Sequence, residues 1–263
     1  MDIVVLLKQV PDPKGFVRIK KDGTIDRENA KSIINPYDKN ALEAALEIKE
    51  KHRAKITVIS MGPSKADDAL REALAMGADE AILLSDRSLA GSDTLASSYA
   101  LSMAVRKIGS YDLILCGMEA SDGNTAQVGP EIAECLKIPQ LTYIEKFDIN
   151  GDFVEARRML EGGYESLRVR LPALLTITNT ANVPRDTRFS GIMEAVKKNV
   201  PTWSASYIEA DLSKLGLAGS PTKIKKIERS VSKRNRCVLK GETANVVDNL
   251  LTKLREDGIN LGD

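Results

Sequence analysis

The stretch from Gly117 to Gln140 reads GMEASDGNTAQVGPEIAECLKIPQ and follows the apolar run Leu113–Cys116. A strand, a glycine-containing turn and the start of a helix therefore come in that order. The turn matches neither the G-x-G-x-x-G pattern of dinucleotide-binding loops nor the Walker pattern of P-loops. Its function has to be inferred from the residue types at the helix start.

The residue types in this turn suit the binding of an anion. Gly117 and Gly123 permit backbone conformations that are closed to other residues, and Asp122, Asn124 and Thr125 are helix-capping types. The first turn of the helix would offer unpaired N–H groups and a positive dipole end to a phosphate. The alternative is an ordinary turn in which these polar residues only cap the helix.

The same order of strand and helix recurs earlier in the chain. Asp2–Lys8 is a continuous apolar run of strand length, typical of a parallel strand that is buried on both faces, and Lys55–Ser60 and Ala81–Leu84 are predicted as the second and third strands. Helical patterns follow them, including Lys65–Met76 and a helix to about Lys107 that Ser92 or Asp93 would cap. Right-handed crossovers place such helices on both faces of the sheet. The sequence predicts an α/β fold with a doubly wound, mostly parallel, Rossmann-like sheet.

After the turn the pattern changes to strands without intervening helices, which predicts an antiparallel extension of the sheet. The predicted strands are Leu141–Ile149, Phe153–Leu160, Glu165–Leu171 and Leu174–Thr178. Residues 14–32 form an excursion, with a predicted hairpin between residues 17–19 and 24–26. From Val200 the periodicity weakens until an amphipathic helix at Val246–Leu254. We expect an α/β domain over residues 1–199 and an extended C-terminal arm with its helix over 200–263.

Composition excludes several classes of function. Lys and Arg (38) nearly balance Asp and Glu (37), so net charge does not favour a nucleic acid or an anionic membrane as partner. Three scattered cysteines and a single histidine, His52, argue against a disulfide framework, a metal site and histidine-based catalysis. No apolar run reaches the length of a membrane span, and we expect a cytoplasmic protein without a catalytic side chain of its own. Any redox chemistry would belong to a bound cofactor.

Two long motifs resemble the β subunit of electron transfer flavoproteins. DGNTAQVGPEIAECLKIPQLTY, from Asp122, resembles the loop that wraps AMP or FAD in that family, and ARRMLEGGYESLRVRLPALLT, from Ala156, resembles a second family motif. The likeness extends from VVLLKQVPD at residues 4–12 to GSPT at residues 219–222. It implies an adenine nucleotide α-hydrolase-like fold and an α subunit as partner. The cofactor-binding residues it implies are Leu6, Asn35, Pro36, Tyr37, Asp38, Met61, Asp93, Thr94, Gly117, Asp122, Gly123, Asn124, Thr125, Ala126, Gln127, Val128 and Gly129.

The run GSDTLAS at residues 91–97 resembles family members that carry a second FAD and bifurcate electrons. This branch implies that NADH reduces the FAD, that one electron passes to ferredoxin or flavodoxin, and that the other passes through the α-subunit FAD to an acyl-CoA dehydrogenase or similar enzyme. One alternative is a non-bifurcating member with structural AMP. Another is an adenine-nucleotide sensor or nucleotidyl-transfer enzyme of the same fold, which would need a glycine-rich loop where Leu7–Pro11 has no glycine.

The segment Thr180–Lys198 resembles the recognition loop through which the family docks on dehydrogenases, and we use that name for it. The resemblance assigns partner binding to Arg185, Arg188, Phe189 and Ile192, with Phe189 as the apolar anchor. An exposed aromatic residue beside arginine is typical of an interface hot spot. The alternative is that Phe189 packs into the core of its own subunit. The basic run at residues 223–236 is expected to lie against the α subunit.

Overall fold

The structure is a computed structural model that describes residues 1–12, 31–223 and 237–259. Its contacts divide the chain into two compact units, residues 1–225 and 226–263. The predicted hairpin at residues 17–26 lies outside the described residues, as does the basic run from residue 224 to 236. None of the helices that the structure describes has the length and hydropathy of a membrane span.

A mixed sheet forms the centre of the first unit. Within the described residues it has nine strands in the order β11-β5-β4-β1-β6-β10-β7-β8-β9, and β2 and β3 form a separate antiparallel pair. The strands are β1 (Asp2–Leu6), β2 (Gln9–Pro11), β3 (Ser32–Ile34), β4 (Lys55–Met61), β5 (Glu80–Leu84), β6 (Leu113–Gly117), β7 (Gln140–Asn150), β8 (Phe153–Leu160), β9 (Gly163–Arg170), β10 (Ala173–Ile177) and β11 (Thr202–Trp203). From β11 to β7 all neighbours pair in parallel, whereas β8 and β9 are antiparallel.

Helices cover both faces of the parallel part of this sheet. The helices are α1 (Pro36–His52), α2 (Asp67–Met76), α3 (Thr94–Ile108), α4 (Val128–Leu136), α5 (Phe189–Lys197) and α6 (Gly216–Gly219). Buried residues of α1 and α2 form one apolar core with one face of the strands, and those of α3 and α4 form a second core with the other face. The predicted doubly wound α/β fold is therefore confirmed. The second unit contains α7 (Thr243–Glu256), which includes the predicted amphipathic helix.

Two strands of the nine-stranded sheet differ from the expected arrangement. β10 was expected in the antiparallel extension, but it pairs in parallel with β6 on one side and β7 on the other. All five of its residues are buried, as a strand inside a parallel sheet requires. β11 was not predicted, and its pairing with β5 joins residues 202–203 to the first unit. The division between the two units accordingly falls later than the expected boundary at residues 199 and 200.

The strand order reverses direction at β1. The chain proceeds from β1 to β4 and β5 on one side, and then returns to place β6 on the other side of β1. In doubly wound sheets, the crevice beyond the carboxyl ends of the strands at such a switch point is where ligands bind. Here that crevice is bounded by the residues that follow Leu6 and Gly117.

Candidate functional site

Asp38 bridges the two strands that flank the switch point. It lies in the first turn of α1 and is buried. Its Oδ2 accepts a hydrogen bond from the backbone N–H of Lys8 at 2.7 Å, and its Oδ1 accepts one from the N–H of Gly117 at 2.8 Å. Burial raises the pKa of Asp38 to about 6, against the opposing effect of these hydrogen bonds. One carboxylate thus holds the ends of β1 and β6 to the start of α1.

Gly117 is required by close packing and not by its backbone angles. A Cβ at this position would lie 2.5 Å from Oδ1 of Asp38 and 2.6 Å from the carbonyl carbon of Tyr37. The expectation that Gly117 and Gly123 supply unusual backbone conformations is wrong, because neither has a positive φ. The left-handed residues of the turn are Asn124, at φ 49°, and Ala126, at φ 54°.

Residues 118–127, here called the β6–α4 loop, are held by side chains from outside the loop. Asn35 is fully buried; its Nδ2 donates to the carbonyl oxygen of Glu119 at 2.8 Å, and its Oδ1 accepts from the N–H of Ser121 at 3.1 Å. Asn35 occupies the N-cap position of α1 but makes no side-chain cap there. Lys8 Nζ lies 2.7 and 2.8 Å from the two carboxylate oxygens of Asp122. The family resemblance had not assigned Lys8, whose position at the carboxyl end of a buried strand was the available signal.

The helix after the loop begins later than expected. α4 starts at Val128 with Gln127 at its N-cap position and without a side-chain cap. The expectation that Asp122, Asn124 and Thr125 cap this helix is therefore wrong, and these residues are exposed in the loop. The N-terminus of α4 keeps its positive dipole end and is not covered by a side chain of its own N-cap.

A second helix N-terminus lies beside the first. The hydroxyl of Thr94, the first residue of α3, is 3.3 Å from Oε1 of Gln127 and 3.2 Å from Oε1 of Glu131. Asp93 caps α3 through the N–H of Ala96 at 3.1 Å, as predicted, and its other oxygen accepts from Thr222. The segment GSDTLAS is thus joined to the start of α4.

The remaining predicted residues lie at the same edge of the sheet. Leu6 and Met61 are the last residues of the neighbouring parallel strands β1 and β4, and Pro36 and Tyr37 open α1. Gly129 packs α4 onto the sheet, since a Cβ there would lie 2.7 Å from Cγ2 of Thr176. The structure therefore brings together the cofactor-binding residues predicted on β1, α1, β4, α3 and the β6–α4 loop.

Comparison with known proteins identifies the family. The electron transfer flavoprotein domain matches residues 22–207. The chain is 49% identical over 258 residues to the electron transfer flavoprotein subunit beta of Clostridium acetobutylicum, covering 98% of this chain and 99% of the relative. It is 51% identical over 255 residues to the subunit of the same name from Thermoanaerobacterium thermosaccharolyticum, covering 97% and 98%. The chain belongs to the electron transfer flavoprotein family. It is also 42% identical over 261 residues to subunit CarD of the caffeyl-CoA reductase-Etf complex of Acetobacterium woodii, covering 98% of this chain and 100% of the relative.

In this flavoprotein-family chain, the recognition loop presents an apolar helix face to solvent. Phe189 is 79% exposed, so the alternative that it packs into the core is wrong. Ile192, Met193 and Val196 are exposed at positions three, four and seven residues later, which places them on the same side of α5. The exposed stripe therefore contains the large apolar residues of α5.

The opposite side of α5 consists of small residues and fits closely against α2. A Cβ on Gly191 would lie 2.2 Å from the carbonyl oxygen of Ala75, and Ala195 is buried. Arg71 of α2 donates to the carbonyl oxygen of Ala195 at 3.1 Å, near the end of α5. Because the inner side allows such close approach, α5 is fixed with its apolar stripe outward.

Arg185 faces its own subunit. Its guanidinium binds Glu43 of α1 through Nε and Nη2 and Glu50 of the same helix through Nη1, at 2.7–3.0 Å. Arg188 is exposed.

A cleft of about 500 Å³ lies beside these residues. Its lining consists of Glu43, Glu50, Ala75, Met76, Arg185, Asp186, Arg188, Ser190, Gly191 and Glu194.

Proposed function

We propose that this chain is the β subunit of a heterodimeric electron transfer flavoprotein, and that it binds an adenine nucleotide where β1 and β6 end. One observation carries the proposal. The β6–α4 loop is held at the switch point by Asn35 and Lys8, while Asp38 ties the adjoining strand ends to α1. A turn that served only to connect a strand to a helix would not need two polar side chains from other elements to hold it.

The residues at this edge fit an adenine nucleotide. The start of α4 is not covered by a side-chain cap, and N–H groups at a helix N-terminus are a common site for phosphate. Thr125 and Asn124 are exposed beside it and add a hydroxyl and an amide. At the same edge, β1 ends at the buried Leu6 and β4 ends at Met61, which is partly exposed and apolar, as the lining of cofactor sites often is. In this proposal Asp122 to Gly129 bind the phosphates, and the backbone near Leu6 lines the adenine pocket.

FAD is the nucleotide that we infer for this site. The junction of Thr94 with Gln127 and Glu131 places the N-terminus of α3 beside that of α4. Two helix N-termini side by side would suit the two phosphates of a pyrophosphate, whereas AMP has one phosphate. Relationship to a subunit of a caffeyl-CoA reductase-Etf complex also favours a chain that works with an acyl-CoA reductase.

On this basis we infer the bifurcating branch of the family. When bound, FAD would supply the redox chemistry: hydride would come from NADH, and single electrons would pass to ferredoxin or flavodoxin and, through the α-subunit FAD, to an acyl-CoA dehydrogenase-like enzyme. The side chains of this subunit bind and orient the nucleotide. Asp93 and Thr94 are assigned to the FAD through their place at the start of α3.

Two exposed apolar surfaces support the proposed partners. The stripe on α5 is headed by Phe189 and has Arg188 beside it, which is the composition of a docking hot spot. In the second unit, Val247, Leu250 and Leu251 of α7 are 47%, 45% and 37% exposed, although their spacing is that of a helix face that packs. We assign the α5 stripe to the dehydrogenase and the α7 face to the α subunit.

The test is a visible absorption spectrum with nucleotide extraction on the chain copurified with its natural partner. Two FAD per heterodimer, one of them bleached by NADH, would support the bifurcating function. One FAD and one AMP would contradict bifurcation but would keep the β-subunit function. Absence of any nucleotide at this site would contradict the binding proposal.

A further inference from the structure

Glu43 is a buried carboxylate whose hydrogen bonds come from the recognition loop. Its side chain is 6% exposed and lies on α1, whereas Arg185 lies in the chain between β10 and α5. The backbone N–H of Arg185 donates to Oε2 of Glu43 at 2.9 Å, and Nε and Nη2 donate to the same carboxylate at 2.8–3.0 Å. A buried carboxylate needs such compensation, because an unpaired charge is costly away from water.

Further contacts attach the same segment to α1. Asn40 donates to the carbonyl and side-chain oxygens of Asn182, each at 2.9 Å, and Asn182 donates back to the carbonyl of Asn40 at 3.0 Å. Glu50 lies two turns after Glu43 and binds Nη1 of Arg185 at 2.7 Å. One side of α1 thus holds the recognition loop from Asn182 to Arg185, immediately before Phe189.

These contacts are at odds with a direct role for Arg185 at a partner surface. The guanidinium of Arg185 donates two hydrogen bonds side by side to Glu43, from Nε and Nη2, and a further one to Glu50. To reach another protein, the guanidinium would have to leave the buried carboxylate of Glu43 without its partner. Arg188, which is exposed, is the arginine that is available to a partner.

We propose that Arg185 is a positioning residue, which together with Glu43 and Glu50 fixes the start of α5 so that Phe189 and its apolar stripe face the electron acceptor. The inference rests on the proposed function, because it assigns Arg185 a role in docking that dehydrogenase. It reassigns Arg185 from partner contact to internal support. We call the contacts of Arg185 with Glu43 and Glu50 the clamp. Loss of the clamp lowers the fraction of molecules in which the loop is positioned for docking, and the apparent dissociation constant for the partner rises in proportion.

The experiment compares Arg185→Ala, Glu43→Gln and the double variant in the purified heterodimer. Reduction of an acyl-CoA dehydrogenase purified from the same cells gives KM and kcat for that partner. Arg168→Ala is the matched control, because Arg168 forms a surface ion pair with Glu155 on the β8–β9 hairpin. Hydrogen exchange of residues 180–190 reports the order of the loop without a partner.

If Arg185 positions the loop, each single variant raises KM for the dehydrogenase by about tenfold, with kcat and bound nucleotide unchanged, since the competent fraction falls to about a tenth. The double variant is no worse than the single variants, and exchange at residues 180–190 becomes faster in all three. If Arg185 instead contacted the partner directly, Glu43→Gln would not raise KM, because this variant keeps the arginine and releases it from Glu43. An unchanged KM in Glu43→Gln therefore overturns the proposal.

Failure of the proposed function gives a different pattern. If the wild-type heterodimer contains nucleotide-free chain and passes no electrons to the dehydrogenase, the β-subunit function fails. Hydrogen exchange then tests by itself whether the contacts of Arg185 with Glu43 order the recognition loop. Faster exchange at residues 180–190 in Glu43→Gln supports this role, and exchange at the wild-type rate overturns it. The double variant also guards against misfolding, because it removes the unpaired buried charge that Arg185→Ala leaves behind.

Discussion

Replacing Gly117 by alanine is expected to separate α1 from β6 and to remove bound nucleotide. The added Cβ would lie 2.5 Å from Oδ1 of Asp38 and 2.6 Å from the carbonyl carbon of Tyr37, whereas ordinary contact begins at 3.4 Å. The start of α1 must therefore move by about 0.9 Å, or β6 must shift by a similar amount. Either movement breaks the bond between Asp38 and the N–H of Gly117.

Two costs set the size of the effect. Overpacking of a close contact costs about 1–3 kcal/mol, and leaving a buried hydrogen-bonding group unsatisfied costs about 1–3 kcal/mol. The sum is about 2–6 kcal/mol. Even the lower figure corresponds to a fall in Tm of about 4–8 °C for a domain of this size, or to about a thirtyfold weaker nucleotide affinity where the distortion is expressed in binding.

The assay combines thermal unfolding with nucleotide content for Gly117→Ala and a matched control, Gly163→Ala. Gly163 begins β9; a Cβ there meets nothing within 4 Å, and its φ is not positive. The control should keep both the Tm and the nucleotide of the wild type. The reasoning is refuted if Gly117→Ala behaves like Gly163→Ala in both measurements, because α1 and β6 would then tolerate the extra carbon.

Three further predictions concern other parts of the site. Because the pKa of Asp38 is raised from 3.8 to about 6 in the folded chain, the stability that this carboxyl contributes is present below about pH 4 and is lost as the pH rises through 6. The unfolding free energy of the wild type should therefore fall relative to Asp38→Asn by about 2 kcal/mol between pH 4 and 7, and a pH-independent difference in urea titrations would contradict this. Phe189→Ala should leave Tm unchanged and raise the dehydrogenase KM by about thirtyfold, as for a hot spot worth about 2 kcal/mol; an unchanged rate of partner reduction would show that the anchor role is wrong. Thr94→Val should weaken FAD more than AMP in equilibrium dialysis, and equal losses for both ligands would remove the argument that α3 extends the site.

Parallel strands such as β1, β4 and β5 could be predicted because the pattern that indicates a strand lies within a few consecutive residues. β1 and β5 are apolar except at their first residue, and β4 is mainly apolar, because burial on both faces leaves little room for polar side chains. The order of the strands in the sheet, in contrast, depends on pairing between residues that are far apart in the sequence. The position of β10 between β6 and β7 depends on partners far away in sequence, and β11 is a two-residue strand without periodicity.

The residues proposed to bind the nucleotide were predicted mainly from the family resemblance, and the contacts among them were not predicted. Asn35 has the sequence context of a helix cap, but its side chain bonds to Glu119 and Ser121 across the switch point. The ion pair of Lys8 with Asp122 and the clamp of Arg185 on Glu43 likewise join residues more than a hundred positions apart. Pattern-based reasoning recognises capping residue types but does not show which groups approach from another element.

Hydrogen exchange on nucleotide-depleted chain, with AMP and with FAD added separately, tests most directly that a nucleotide binds where β1 and β6 end and where α3 and α4 begin. We expect AMP to protect residues 117–129 and the segments at 6–8 and 35–38, and FAD to protect these and also residues 91–98. Protection confined to other parts of the chain, such as α5, or no protection by either ligand, would contradict the account.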